Sequence, residues 1–402
     1  MKQHNHIRIL ALFLLLIGGM AAPSIVVSAP LCQKDTLSGD TSLINEFVDL
    51  FTEEAGSNIP EVQRSRRKQV DELLRAILDQ PGKLRFSGVA TASFQAKAEN
   101  NPTYLGVGSF DIFAFTSFGK HALLFFDFEA VGGNGPDVLI PNHSGLNGDA
   151  GNTTSRDGLD RLTVLEAWTE FKTLRDIFTV TLGKIDLTNY FDNNLHANDE
   201  TSQFISGVFV NNPVLPVYFN SPGIRFRTSF INRFYIQYGL LMAQPQNIDL
   251  MKNHLKMIET GFKLFVETGW EANFRIFGYE HPLAGHAQGF GISFDQLIAN
   301  HFSIFGRYGR NHPALAEWHG IEKAWSTLGF RQMLFQREFK IGIAYAETGV
   351  HEQHFPEKIG EVYLSNQLND WVFISPHFQW IEIRKSGREE HFLVGLRLNF
   401  TY

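Results

Sequence analysis

The chain has 402 residues and carries 35 Lys and Arg against 42 Asp and Glu; its formal charge of −7 argues against nucleic acid as a partner. Its 44% hydrophobic content goes with a mean hydropathy of −0.12, and beyond the amino-terminal stretch no apolar run approaches the ~18 residues of a membrane-spanning helix, which excludes a helical membrane protein. Cys32 is the single cysteine, so no intrachain disulfide can form.

Lys2 and Arg8 precede an uncharged apolar run from Ile9 to Ala22. That is the form of a secretory signal peptide, taken here as residues 1–29. Val27-Ser28-Ala29 has the small-residue cleavage pattern but is followed by Pro30, and Ala22 likewise precedes Pro23, so the cut falls between residues 22 and 33. Leu31 stands before Cys32 where a lipid-anchor signal needs a small residue.

Residues 30–83 read as a periplasmic helical segment. Leu43, Ile44, Phe47, Val48, Leu50 and Phe51 recur at helical spacing, as do Val70, Leu73, Leu74, Ile77 and Leu78 after Pro60, and Pro81-Gly82 ends the segment. Arg64, Arg66, Arg67 and Lys68 form a solvated face of the second helix. Two roles stay open: a helical pair packed on the barrel or on a neighbouring chain, or a plug or envelope tether that grips peptidoglycan or a partner.

From residue 84 to 402 the pattern changes to alternation. His391-Phe-Leu-Val-Gly-Leu-Arg-Leu-Asn-Phe-Thr-Tyr402 places Phe392, Val394, Leu396, Leu398 and Phe400 on one face and Arg397, Asn399 and Thr401 on the other, the apolar-out, polar-in dyad of a transmembrane barrel. Sixteen such segments are expected, near 84–96, 105–117, 119–131, 160–172, 175–184, 222–230, 232–243, 255–267, 269–280, 286–298, 300–309, 319–333, 337–348, 357–369, 370–383 and 389–402. The fold class is therefore an all-β antiparallel transmembrane barrel with a short amino-terminal helical segment. The 37 Phe residues suit a wall whose outer face meets lipid.

Tight links such as 116–120 and 231–233 alternate with long ones. Residues 132–159, rich in Gly, Asn and Asp, read as a solvated external loop; Asp149, Asn152 and Asp157 lack the spacing of a calcium loop. Segment 185–221 mixes Phe191, Phe204, Ile205, Phe209, Val214 and Leu215 with polar residues. So much apolar surface predicts a loop folded back into the barrel, where it narrows the bore.

Parity assigns the bore its chemistry. In Ile224-Arg-Phe-Arg-Thr228 the two arginines, Arg225 and Arg227, share the face opposite Ile224 and Phe226, so both point inward. The same argument turns Asp127, Glu129, Glu166 and Glu170 inward with Arg275, Arg307 and Arg397, and adds Trp168, Tyr235 and Tyr363 as aromatic plates. Charged hydrogen-bonders beside aromatic rings suit sugar hydroxyls and C–H faces; equally, facing rows of Arg and carboxylate satisfy each other and stiffen the wall.

One stretch is more specific. The run from Leu182 to Phe204, followed by Asn212-Pro213, resembles the signature of the carbohydrate-selective porin family, the OprB-like glucose porins, through Gly183, Lys184, Asp186, Phe191, Asp192, Asn198, Asp199, Glu200, Gln203 and Phe204. A second likeness runs from Leu368-Asn-Asp-Trp371 through Pro376 and Gln379-Trp-Ile381 to Gly395-Leu-Arg397. The resemblance spans roughly 84–402 and implies a sixteen-stranded barrel that passes small carbohydrates passively. It also implies a constriction loop whose polar lining includes Lys184, Asp186, Asp192, Asn194, Asn198, Asp199, Glu200 and Gln203. Glu382-Ile-Arg-Lys-Ser-Gly387 departs from the family's Asn-Pro-Gly, and the chain ends in Tyr402 where Phe is commoner; the preferred sugar stays open.

Enzymatic readings find little support. Gly-x-Ser-x-Gly is absent, and His351-Glu-Gln-His354 is not the zinc helix His-Glu-x-x-His. No cofactor and no metal are expected. The expected partners are small carbohydrates, outer-membrane lipid and lipopolysaccharide, with peptidoglycan or a second copy of the chain as further candidates. The alternatives to a sugar channel are a general or anion-preferring porin and an envelope anchor.

Overall fold

The computed structural model describes residues 82–98, 102–119, 121–152, 161–173, 177–215, 220–230, 233–243, 253–266, 270–282, 285–298, 302–319, 321–327, 339–351, 355–369, 371–384 and 387–401. The signal peptide, nearly all of the helical segment 30–83, Cys32, Asp157, the link at Ile231-Asn232 and Glu352-Gln-His354 lie outside the described residues.

Sixteen strands follow one another: β1 (Arg85–Lys97), β2 (Tyr104–Ser117), β3 (Ala122–Gly133), β4 (Arg161–Thr173), β5 (Phe178–Ile185), β6 (Ser221–Phe230), β7 (Phe234–Met242) and β8 (His254–Leu264), then β9 (Ala272–His281), β10 (Ala287–Ile298), β11 (Phe302–Asn311), β12 (Ile321–Thr327), β13 (Phe339–Val350), β14 (Glu357–Asn369), β15 (Val372–Arg384) and β16 (Arg388–Thr401). Each pairs antiparallel with the next, and β1 pairs with β16 from Val89↔Thr401 to Lys97↔Leu393, so the sheet closes on itself. Closure leaves no free edge among the described strands, as a wall in hydrocarbon requires. No helix among the described residues is long and apolar enough to cross a membrane.

The side-chain period of two divides the wall. Phe94, Phe110, Phe128, Phe274, Phe378, Phe392 and Phe400 are exposed on the outer face. Neighbouring rings meet there across strands, such as Phe234 with Phe262 at 4.9 Å and Phe378 with Phe392 at 6.1 Å. Such a pair adds about 0.5–1.5 kcal/mol beyond its buried area. Trp371 and Trp270 are exposed beside short turns, where an aromatic girdle meets the lipid interface.

The links separate the two ends of the barrel. The β2–β3 turn, closed by Phe118 N to Ala122 O at 2.8 Å, and the starts of β1 and ends of β16 lie at a short-turn end. The opposite, loop end carries loop 2 (residues 134–160, between β3 and β4) and loop 3 (residues 186–220, between β5 and β6). We expect the folded protein to migrate faster before boiling than after it on a denaturing gel, because a closed ladder has no end from which to unravel. Identical mobility of the two samples contradicts closure.

Candidate functional site: two loops seated in the bore

Loop 3 turns inward as its apolar residues require. Phe191, Phe204, Ile205, Phe209 and Val214 are all buried, and the Phe204 ring lies 5.2 Å from Phe209, 5.8 Å from Phe305 on β11 and 5.0 Å edge-on from Tyr363 on β14. The wall makes room with glycine: a Cβ on Gly309 would sit 2.2 Å from Val214 Cγ2. The entry also needs glycine, since Gly183 has φ +143° and an added Cβ would lie 2.2 Å from Ala167 O.

Asp186 starts the loop by accepting from Thr188 N at 2.8 Å, while its own N–H donates to Glu166 Oε1 at 2.9 Å. The chain then reverses at Asp192, a non-glycine residue at φ 59° held by its surroundings. Its N–H donates to Glu259 Oε2 at 2.7 Å, and its Oδ2 accepts from Asn212 N at 2.8 Å and meets Arg307 Nε at 2.7 Å. Arg307 also donates to Phe209 O at 2.5 Å and to Val210 O and Asp192 O at 3.2 Å. One guanidinium thus fastens both arms of the loop to β11. Burial pushes the Asp192 carboxyl above the ordinary aspartate range, against the pull of Arg307 and Arg275.

A second anchor is Glu361 on β14. It accepts from Ile205 N at 2.8 Å, Ser206 N at 2.9 Å and Ser206 Oγ at 2.5 Å, and it contacts His377 Nδ1 at 2.9 Å. Arg397 Nη1 to Glu200 O at 2.7 Å and Asn399 Nδ2 to Thr201 O at 3.2 Å tie the middle of the loop to β16.

Loop 2 corrects the expectation of a solvated external loop. Ile140, Leu146, Asn147, Asp149 and Ala150 are buried, and the loop joins loop 3 through Gly148 N to Ile205 O (2.7 Å), Gly207 N to Gly145 O (2.9 Å) and Val208 N to Ser144 O (2.9 Å). Asp137 organises it by accepting from Leu146 N at 2.8 Å and Asn147 N at 3.1 Å; burial pushes this carboxyl up, and those amides oppose the rise. Asn147 Nδ2 reaches Gln95 Oε1 at 2.7 Å on β1, and Ser144 Oγ reaches Glu357 Oε2 at 3.1 Å on β14. Few apolar side chains do this; polar contacts seat the loop.

The residues assigned to the bore by parity do point inward, but most are covered. Arg225, Arg275, Arg307 and Arg397 are 3%, 6%, 4% and 1% exposed. Arg225 contacts Glu170 at 3.5 Å, Thr181 at 3.0 Å and Gln237 at 3.0 Å, and lies 4.1 Å over the Tyr190 ring; Arg275 meets Asp295 at 2.7 Å. Asp127, Glu129 and Glu166 are buried as neighbours on β3 and β4. Trp168, stacked on Phe125 at 4.8 Å, Tyr235 and Tyr363 are buried too. At these positions the charged and polar groups satisfy one another. Arg227 differs: it keeps part of its surface open, 4.2 Å over the Tyr235 ring.

Within the expected constriction set, Asp192, Asn194, Asp199 and Gln203 are buried, while Asn198 and Glu200 stay partly exposed. Lys184 does not belong there. It sits on β5 opposite Ala167 and Pro222, on the alternation face of Leu182, and its Nζ caps Val164 O. Sequence reasoning missed Glu259, Glu361, His377, Gln379 and Asn147. The first four stand on inward positions of their strands, so the parity rule that found Arg225 also finds them. Among the described residues no His, Cys, Asp and Glu group is arranged to hold a metal.

Comparison with known proteins fits this architecture. Residues 126–296 match the model of the carbohydrate-selective porin, OprB family. An uncharacterized protein of Aquifex aeolicus (strain VF5) is 28% identical over 300 residues, covering 74% of this chain and 85% of that protein. Among solved structures, OprB of Pseudomonas putida at high pH superposes with a TM-score of 0.66 at 14% identity, over 81% of this chain and 96% of that one. Its low-pH form gives 0.56 at 13% identity, over 84% and 98%. At these identities the structural likeness carries the fold. A closed antiparallel wall with a lipid-facing aromatic surface, two loops folded into its bore and this family match make the chain an outer-membrane β-barrel porin similar to the carbohydrate-selective OprB family, a channel and not an enzyme.

Proposed function

We propose that this barrel passes small, glucose-like neutral carbohydrates by passive diffusion through the space that loops 2 and 3 leave open. The observation that carries the reading is the seating of loop 3: Arg307, Glu361 and Arg397 hold it against the inner faces of β11, β14 and β16. A neutral sugar gains little from net charge. It must exchange part of its hydration for fixed donors and acceptors, weakly enough to leave again.

Arg227, with Asn198 and Glu200 on loop 3, is the group assigned to that exchange. The Tyr235 ring beneath its guanidinium holds the fork flat, and only Nε is spent, on Ser229 Oγ at 3.2 Å. Arg225 acts differently, as a strut. In planar bilayers, Arg227→Ala is expected to weaken sugar block of the ion current about tenfold, since a charged hydrogen bond is worth roughly 1.5–3 kcal/mol. Ion conductance without sugar should change little. Unchanged block in this variant removes Arg227 from the path, and no block in the unaltered protein favours a general or anion-preferring porin.

A further inference from the structure

We propose that residues 62–80, the second helical stretch read from the sequence, fold back into the bore from the short-turn end and plug that half of it against the inner faces of β1–β4. These residues precede Gly82, the first described residue. The inference rests on the closed barrel and is independent of what passes through it.

The inner wall in this sector breaks the barrel pattern. Phe113 and Phe115 on β2, Leu123 and Phe125 on β3 and Trp168 on β4 share the inward alternation of Asp111, Asp127 and Glu166. A water-filled bore is lined by polar residues, yet these apolar side chains point into it and are only 1–3% exposed. Phe113 stacks on Phe125 at 5.9 Å and Phe125 on Trp168 at 4.8 Å, so the rings form one plate. Towards the loops the plate runs into Leu187 and Phe191. At its other side Phe115 and Leu123 stand next to the β2–β3 turn, at the end away from the loops. Apolar side chains at an open mouth would lie against water, so their burial calls for an apolar cover.

The chain itself arrives at this point. Gly82, at φ +81°, turns the backbone, and its N–H donates to Ser117 O at 2.8 Å, at the foot of β2 and on the alternation of Phe115. Val70, Leu73, Leu74, Ile77 and Leu78 recur at helical spacing just before it, an apolar stripe that matches the plate. As a helix, residues 62–80 would be about 28 Å long, close to the roughly 30 Å of hydrocarbon that a barrel crosses. Charge fits as well. With Leu78 at the foot, Arg64, Arg66, Arg67 and Lys68 reach the middle of the wall, where Asp111 stands opposite Glu129 and Asp127 opposite Glu166. Carboxylates directly opposed across strands repel each other, and a basic turn relieves them. Helical spacing puts Arg66 and Arg67 on the side of the apolar stripe, towards those acids, and Asp71, Glu72, Arg75 and Asp79 on the side left to water.

The test uses the full chain carrying Cys32→Ser, in liposomes. Oxidation of Leu74→Cys/Phe113→Cys should give a linked peptide pair by mass spectrometry, whereas Leu74→Cys/Ser303→Cys, whose second position lies on β11 across the closed strand order, should give none. Leu73→Asp/Leu74→Asp and, separately, Arg66→Glu/Arg67→Glu should raise single-channel conductance at least about twofold, because a helix roughly 10 Å across leaves the bore. The gel shift on boiling should be preserved in both, since neither pair belongs to the strand ladder. Linkage to Ser303→Cys as strong as to Phe113→Cys overturns the plug. So does an unlinked Phe113 pair with unchanged conductance in both segment variants, or an unlinked Phe113 pair in a chain that pellets with peptidoglycan, which marks a tether. Absence of sugar block in the unaltered protein would count against the sugar reading and leave these results standing.

Discussion

Arg307→Ala is expected to raise single-channel conductance severalfold and to abolish sugar block while leaving the barrel closed. The guanidinium touches both arms of loop 3, through Asp192 on the way in and Phe209 and Val210 on the way out. Removing one partner of a buried ion pair leaves the other uncompensated, at a cost of about 3–5 kcal/mol. The ladder does not depend on it, so that cost falls on the seating of the loop. Mobility before boiling should be normal, and limited proteolysis should cut near residues 192–212. A variant with ordinary conductance and a protected loop would show that the apolar contacts of Phe204 and Phe209 suffice.

The second large effect is expected from Glu361→Ala, and it should be broader. Three donors from Ile205 and Ser206 lose their acceptor, each a charged hydrogen bond of roughly 1.5–3 kcal/mol, and His377 loses its partner. Gln379 Nε2 bonds both Ser206 Oγ and Leu146 O at 2.7 Å, so a displaced Ser206 also loosens loop 2. Proteolysis should therefore cut within residues 134–152 in this variant but not in Arg307→Ala. Cleavage confined to loop 3 in both would mean the two loops are held independently.

Much of this was legible in the residues. Alternation in the last strand, and the paired parity of Arg225 and Arg227, follow from a period of two that no neighbour can override without flipping a whole strand. Loop 3 announced itself by apolar residues too numerous for solvent. Loop 2 did not, because it is seated by Asp137, Asn147 and Ser144 through hydrogen bonds, and polar residues read alike whether they face water or a wall. Lys184 was misplaced for a different reason: a motif groups residues by sequence, whereas Gly183 puts a sharp bend just before it and leaves it on the strand. The exposure of the arginines was not legible either. Parity gives a direction, and what lies over a side chain depends on residues far along the chain, as with Phe209, 98 positions from Arg307.

Loop 2 touches both ends of the chain's path around the wall. Asn147 bonds Gln95 on β1, Gln95 bonds Gln379 on β15 at 2.7 Å, and Ser144 bonds Glu357 on β14. Those partners are up to 284 positions apart and become neighbours only when β16 has zipped onto β1. Contacts so distant along the chain form late, after their loop-closure entropy has been met. The seating of loop 2 on β1 is accordingly expected late in assembly: before the seam closes, Asn147 can meet Gln95 but the pair has no Gln379 to join.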